Sequence, residues 1–160
     1  MKITEFPISP EISQNLVNTS KEASEILGVS LSDPPLKVVE AIQDCLVELI
    51  QSNNSSLDKW TDCALPMGTL WGIQMVRQFQ WQWASVTKDE GDGSKAFGVF
   101  DGNRSLAAYP FSYVFACLDQ KIYPAVLLSF NMLLAGKIPE LEAGGYMNLM
   151  DGVQHVVPPG

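Results

Sequence analysis

Histidine is almost missing from this chain: His155, near the C-terminus, is the only one among 160 residues. Any Ser-His or Cys-His dyad, or any multi-histidine metal site, would have to be built on that one residue, and a partly exposed structural histidine is the simpler expectation. Cysteine is scarce as well. Cys45, Cys63 and Cys117 are odd in number, widely spaced and set among apolar neighbours, with no C-x-x-C or C-x-x-H spacing to hold zinc. They read as three buried, reduced thiols, which points to a reducing compartment, the cytoplasm.

Positive charge is the next shortage. Ten Lys and Arg stand against eighteen Asp and Glu, for a formal charge of −8, and the basic residues are scattered singly along the chain. Nucleic-acid binding relies on a clustered basic footprint that displaces phosphate counterions, so a nucleic-acid partner is not expected. A basic protein partner fits the charge, and so does plain solubility. Long hydrophobic runs are missing too. The longest, Ala125 to Ala135, is interrupted by Ser129 and Asn131 and is too short to span a bilayer, and the start has no apolar stretch resembling a secretory signal, so no membrane partner is expected.

Cofactor motifs are likewise lacking. No P-loop or G-x-S-x-G pattern occurs. Gly91 and Gly93 precede a strand, so they lack the helix N-terminus that a dinucleotide fingerprint needs. Asp89, Glu90 and Asp92 invite a calcium reading, but position 99, where an EF-hand loop carries a bidentate Glu, is Val. No cofactor and no metal are expected, and the loop reads as a solvated hairpin tip.

What is present is ample core material: 46% of the residues are hydrophobic and only 18% charged. One domain of 1–160 is expected, with an N-terminal helical region to about residue 52 and the remainder from about 57. Ser9-Pro10-Glu11 starts a helix that runs to Gly28, with Thr19 and Glu22 forming a second capping box and hence a break near Thr19. Asp33-Pro34-Pro35 starts another, whose apolar stripe runs through Val38, Val39, Ile42, Leu46, Leu49 and Ile50 while Glu40, Asp44 and Glu48 face away. After the polar loop Gln51 to Ser56, a short helix from about Leu57 is expected to end at Leu65-Pro66. A longer one, from about Pro66 to Gln80, carries Gly68 and Gly72 four apart, a spacing that lets a neighbour approach closely.

At Trp81 the hydrophobic period changes to two. Trp81 to Val86, Ala96 to Phe100 and Ser105 to Tyr109 read as three antiparallel strands in a meander, the last two joined by Asp101-Gly102-Asn103-Arg104. Pro110 stops the third strand and opens a short helix over 111–118. The helix over 125–135 is apolar nearly all round, which predicts a central, buried element. A turn of helix through Tyr146, Leu149 and Met150 and a last extended run, Val153 to Val157, follow. The fold class is therefore α+β: N-terminal helices and a three- or four-stranded antiparallel sheet packed on a buried C-terminal helix.

The aromatic residues offer the main candidates for binding. Trp81 and Trp83, two apart, point to one face of a strand, and Tyr109 and Tyr113 flank the exit from the third strand. Sealing the helix–sheet interface is the first expectation for such rings. The alternative is a ligand cleft in which Arg104 and Asn131 fix orientation. Asn131, inside Phe130-Asn131-Met132-Leu133, is expected to be a buried amide tying its helix to a neighbouring backbone group.

The order Leu70-Trp71-Gly72, Trp81-Gln82-Trp83, Tyr109-Pro110 and Phe130-Asn131-Met132-Leu133 resembles a family of small bacterial domains of unknown function, over roughly residues 65 to 135. The resemblance implies an α+β fold and a bacterial source, and it brings no catalytic residues. With no catalytic constellation in sight, the expected function is non-enzymatic protein interaction, of an immunity or adaptor type. The alternative is a small-molecule-binding or enzymatic domain built on the aromatic cleft. The oligomeric state is not readable from the sequence.

Overall fold

The computed structural model describes residues 3–52, 56–88, 95–138 and 141–151. His155, the acidic loop from Asp89 to Gly93 and the run Val153 to Val157 lie outside them. The fold is α+β, but the sheet has five strands and is mixed, where three or four antiparallel strands are expected from the sequence.

α1 (Pro10–Leu27) begins as its residues dictate, with the Ser9 hydroxyl accepting from the Ile12 N–H at 3.2 Å, and ends at Gly28 in the left-handed region. No break occurs at Thr19. The buried face of Leu16, Ser20, Ala23 and Ser24 runs straight through that point, and keeping this face against α3 (Leu65–Phe79) outweighs a second cap. α2 (Pro35–Ser52) buries Val38, Val39, Ile42 and Leu46 together with the amide of Gln43.

A π-helical turn, Lys59–Ala64, leads into α3 without interruption, capped by the Asp58 carboxylate, which accepts from the Trp60 and Thr61 N–H groups at 3.0 and 2.7 Å. Leu65-Pro66 therefore does not end the helix. The Leu65 N–H reaches back to the Trp60 carbonyl, and this widened turn gives the proline ring the room that α-helical spacing denies it. α3 is the central helix, burying Met67, Leu70, Trp71, Gln74 and Met75. Its two glycines serve close approach: a methyl group at Gly68 would sit 2.9 Å from the Phe111 ring, and one at Gly72 would overlap the Trp83 indole.

β1 (Ile3–Pro7), β2 (Gln82–Lys88), β3 (Ala96–Phe100) and β4 (Leu106–Ala108) form an antiparallel run. β5 (Met147–Asn148) pairs parallel to β4, with Leu106 opposite Met147. It takes up Met147 and Asn148 within the stretch expected to make a helical turn, and Leu149, Met150 and Asp151 after it do form that turn. The direction follows from the connection: α4 (Pro110–Gln120) and α5 (Val126–Leu134) carry the chain back over the sheet, so the return strand enters in the sense of β4. Trp83, Val99, Leu106 and Ala108 face the main core. Ala84, Val86, Phe100 and Ala107 form a second cluster on the other face, against Ile3, Tyr109 and Tyr146.

α5 departs most from expectation. Val126, Ser129 and Phe130 are buried, but Leu128, Asn131, Leu134 and Ala135 are exposed, so this apolar helix lies at the surface and not at the centre. Among the described residues, no helix is long and apolar enough to cross a membrane.

Candidate functional site

The six residues singled out from the sequence do not form one site. Trp81 precedes the paired strand and is buried in the main core. Trp83 is half-buried and stacked with Phe97 and Phe111, at centroid distances of 5.2 and 5.9 Å, so its ring is committed to packing. Arg104 lies in the β3–β4 turn at φ 58°. Its guanidinium is engaged by the chain itself: Nε and Nη2 donate to Glu5 at 2.7 and 3.0 Å, Nη1 to the Asp101 carbonyl at 2.7 Å, and Nη2 also to Gln82 at 2.9 Å. Asn131 is exposed and carries no structural tie of the kind expected of a buried amide.

Tyr109 and Tyr113 are the two that the structure brings together. β4 ends at Ala108, α4 starts at Pro110, and β5, parallel to β4, ends beside them. The carboxyl ends of neighbouring parallel strands open into a crevice in α/β folds, because the chain leaves the sheet there in divergent directions. A cleft of about 300 Å³ lies at this place, with Tyr109 and Tyr113 as aromatic walls and Ser112, Asn148 and Asp151 as its polar groups. Ala96 and Met150 complete it.

Each wall is held by packing. The Tyr109 ring stands edge-on to Phe100 at 6.0 Å, over Gly98, where a methyl group would come within 2.9 Å of it. Tyr113 packs edge-on to Trp71 at 5.6 Å, and its hydroxyl accepts the Ala125 N–H at 2.8 Å. Burial pushes both phenols above their ordinary pKa, so both are neutral at physiological pH. The Asn148 carbonyl accepts from the Met150 N–H at 3.1 Å, which leaves its amide donors free to face the cleft. Lys95, the neighbour of Ala96, turns away to place its ammonium 4.4 Å from the Phe6 centroid. No cationic side chain lines the cleft among the described residues.

A second surface is built from α5 and α2. Tyr123 (74% exposed), Leu128 (37%) and Leu134 (42%) stand out from the α5 region with Asn131 between the two leucines. α5 is docked to α2 by Gln43, whose amide donates to the Pro124 carbonyl at 2.7 Å and whose carbonyl accepts the Leu127 N–H at 3.2 Å. Glu40, Asp44 and Glu48, four apart, form an exposed acidic stripe on α2, the helix against which α5 is docked.

The three thiols are unpaired: Cys63 and Cys117 are buried and Cys45 is half-buried. Burial pushes the Cys63 thiol up to about 11, which keeps it protonated and weakly nucleophilic. Among the described residues no group of three or more His, Cys, Asp or Glu side chains is placed to hold a metal ion.

Ser112, Asn148 and Asp151 escaped the sequence reading because Asn148 and Asp151 reach the cleft only through a two-residue strand. Leu128 and Leu134 escaped it because a helix with no charged residue reads as buried. No family model, curated protein or solved structure matches the chain.

Proposed function

We propose that the chain is a non-enzymatic interaction domain, of immunity or adaptor type, that receives a basic amphipathic segment of a partner protein on α5. The observation that carries this reading is the outward apolar face of α5, a helix docked to α2, which itself carries an exposed acidic stripe. Exposed leucines on a charge-free helix lose free energy in water unless covered, and the carboxylates of the adjoining helix favour a partner with Lys or Arg beside its apolar face. A bacterial cytoplasmic setting belongs to this proposal, and the three unpaired thiols fit a reducing compartment.

Three designed peptides test it: an amphipathic Leu/Lys helix, a scrambled peptide of the same composition, and a Leu/Glu helix. The Leu/Lys helix is expected to bind, to weaken with added salt, and to lose about tenfold or more in affinity with Leu134→Asp or Leu128→Asp, as for a central contact residue. Both substitutions lie on exposed positions, so thermal stability should stay within about 0.5 kcal/mol of the parent. Equal binding of the scrambled peptide, or indifference to both substitutions, would sink the proposal. With the native host in hand, cross-linking from a residue placed at position 131 should capture a partner that the Leu134→Asp chain does not.

A further inference from the structure

A different feature supports a second, independent site. We infer that the cleft at the ends of β4 and β5 binds a small organic cation, an amine or quaternary ammonium compound without an anionic group.

The argument rests on what lines the cleft and what does not. At about 300 Å³ it holds a ligand of a few to about ten heavy atoms, at the small end of ligand pockets. Tyr109 and Tyr113 line it, and an aromatic ring attracts a positive charge placed over its face. Asp151 supplies a carboxylate and makes no hydrogen bond or ion pair with another described residue. The hydroxyls of Tyr109 and Ser112 are likewise without hydrogen-bond partners among the described residues, and both can accept from an ammonium N–H. The Asn148 amide supplies donors for a hydroxyl on the same ligand.

An anion meets the opposite conditions. It would face the Asp151 carboxylate with no cationic side chain on the cleft wall among the described residues, since Lys95 is turned to Phe6 and the Arg104 guanidinium is engaged by Glu5. Phosphates, nucleotides and carboxylic acids are thereby disfavoured. The net charge of −8 adds a long-range bias in the same direction.

The cleft is also built to keep its shape. Tyr109 is seated over Gly98, and Tyr113 is pinned at both ends, by Trp71 against its ring and by the Ala125 N–H at its hydroxyl. Rigid walls reduce the ordering cost of binding.

Titration of the full chain with choline, n-butylamine, acetate and 3,3-dimethyl-1-butanol, the neutral isostere of choline, tests the inference. Amide chemical shifts would report the location. Choline or butylamine is expected to bind and to shift Ala96, Ser112 and Asn148, with the neutral isostere weaker by about tenfold or more. Asp151→Asn, at an exposed position, should weaken the cation by a similar factor and leave the isostere unchanged. Tyr109→Phe should retain most of the affinity, because the ring face remains. Should the isostere bind as well as choline, should acetate prove the better ligand, or should the shifts cluster away from these residues, the inference is overturned. Silence from both cations at tens of millimolar overturns it too.

Discussion

At the scale of single residues, the most exacting contact is between Gly72 and Trp83. The indole lies so close to the α3 backbone that a methyl group at position 72 would overlap it. Trp83 cannot move freely, because it is stacked in near-parallel fashion on Phe97 and Phe111, with interplanar angles of 11° and 22°. Gly72→Ala should therefore destabilise the fold by about 1–3 kcal/mol, despite the better helix propensity of alanine, as overpacking does. Adding Trp83→Phe should recover part of the loss, and urea denaturation of the two single variants and the double variant would measure the coupling. If Gly72→Ala were neutral, the packing described for α3 and β2 would be wrong. That these two glycines permit close approach was legible in their spacing; that one of them receives an aromatic ring was not, since nothing in the sequence aligns residue 72 with residue 83. Asn131 marks the converse limit. An amide with five apolar residues among the three on either side looks buried in sequence, yet burial depends on which elements happen to cover the helix, and Asn131 is exposed among the described residues.

At the scale of elements, the N-terminal helices and the β2–β3–β4 hairpins were legible because caps, period and turn residues act within a few positions of one another. β1 and β5 were not: Ile3 pairs with Lys88, and Met147 with Leu106, so each owes its existence to a distant partner. The same distance effect makes Gln43 important. Its buried amide joins α2 to the start of α5 across 81 and 84 residues of chain, satisfying one carbonyl and one N–H. Gln43→Leu keeps the size but orphans both backbone groups, which should cost about 1–3 kcal/mol. Hydrogen exchange should quicken at Leu127 and through the first turn of α5 more than in α3, because α5 loses its anchor while the central core is untouched. Unchanged exchange at Leu127 would mean that apolar packing alone seats the helix. The choice of Gln, apolar in reach and polar at its tip, is what lets one side chain serve both ends of that joint.

For the molecule as a whole, the tie that closes the fold is electrostatic and long-range. Arg104 in the β3–β4 turn grips Glu5 on the first strand, 99 residues away, and the Tyr146 hydroxyl donates to the same carboxylate at 3.1 Å from just before the last strand. One edge of the sheet, its middle turn and the approach to its other edge thus converge on Glu5. The Arg104 hydrogen bonds hold the Glu5 pKa below its ordinary 4.5, against the opposing effect of burial. A carboxylate whose pKa is lower folded than unfolded stabilises the native state fully above the unfolded value, and that contribution drains away as pH falls through the folded value. The stability advantage of the parent over Glu5→Gln should therefore be constant near neutrality and shrink below about pH 4.5. Urea midpoints at a series of pH values would show it, and a difference that instead grew on acidification would contradict the pairing. The backbone gives a second handle on the same tie. Arg104 adopts a positive φ of 58°, although Gly102 and Asn103 stand in the same turn, which costs about 1–2 kcal/mol for a residue with a side chain. Arg104→Gly loses the ion pair but relieves that strain, whereas Arg104→Met loses the pair and keeps it. The glycine variant should thus be the more stable of the two at pH 7 by about 1 kcal/mol, and their difference, unlike that between parent and Glu5→Gln, should not change with pH, because backbone strain carries no proton.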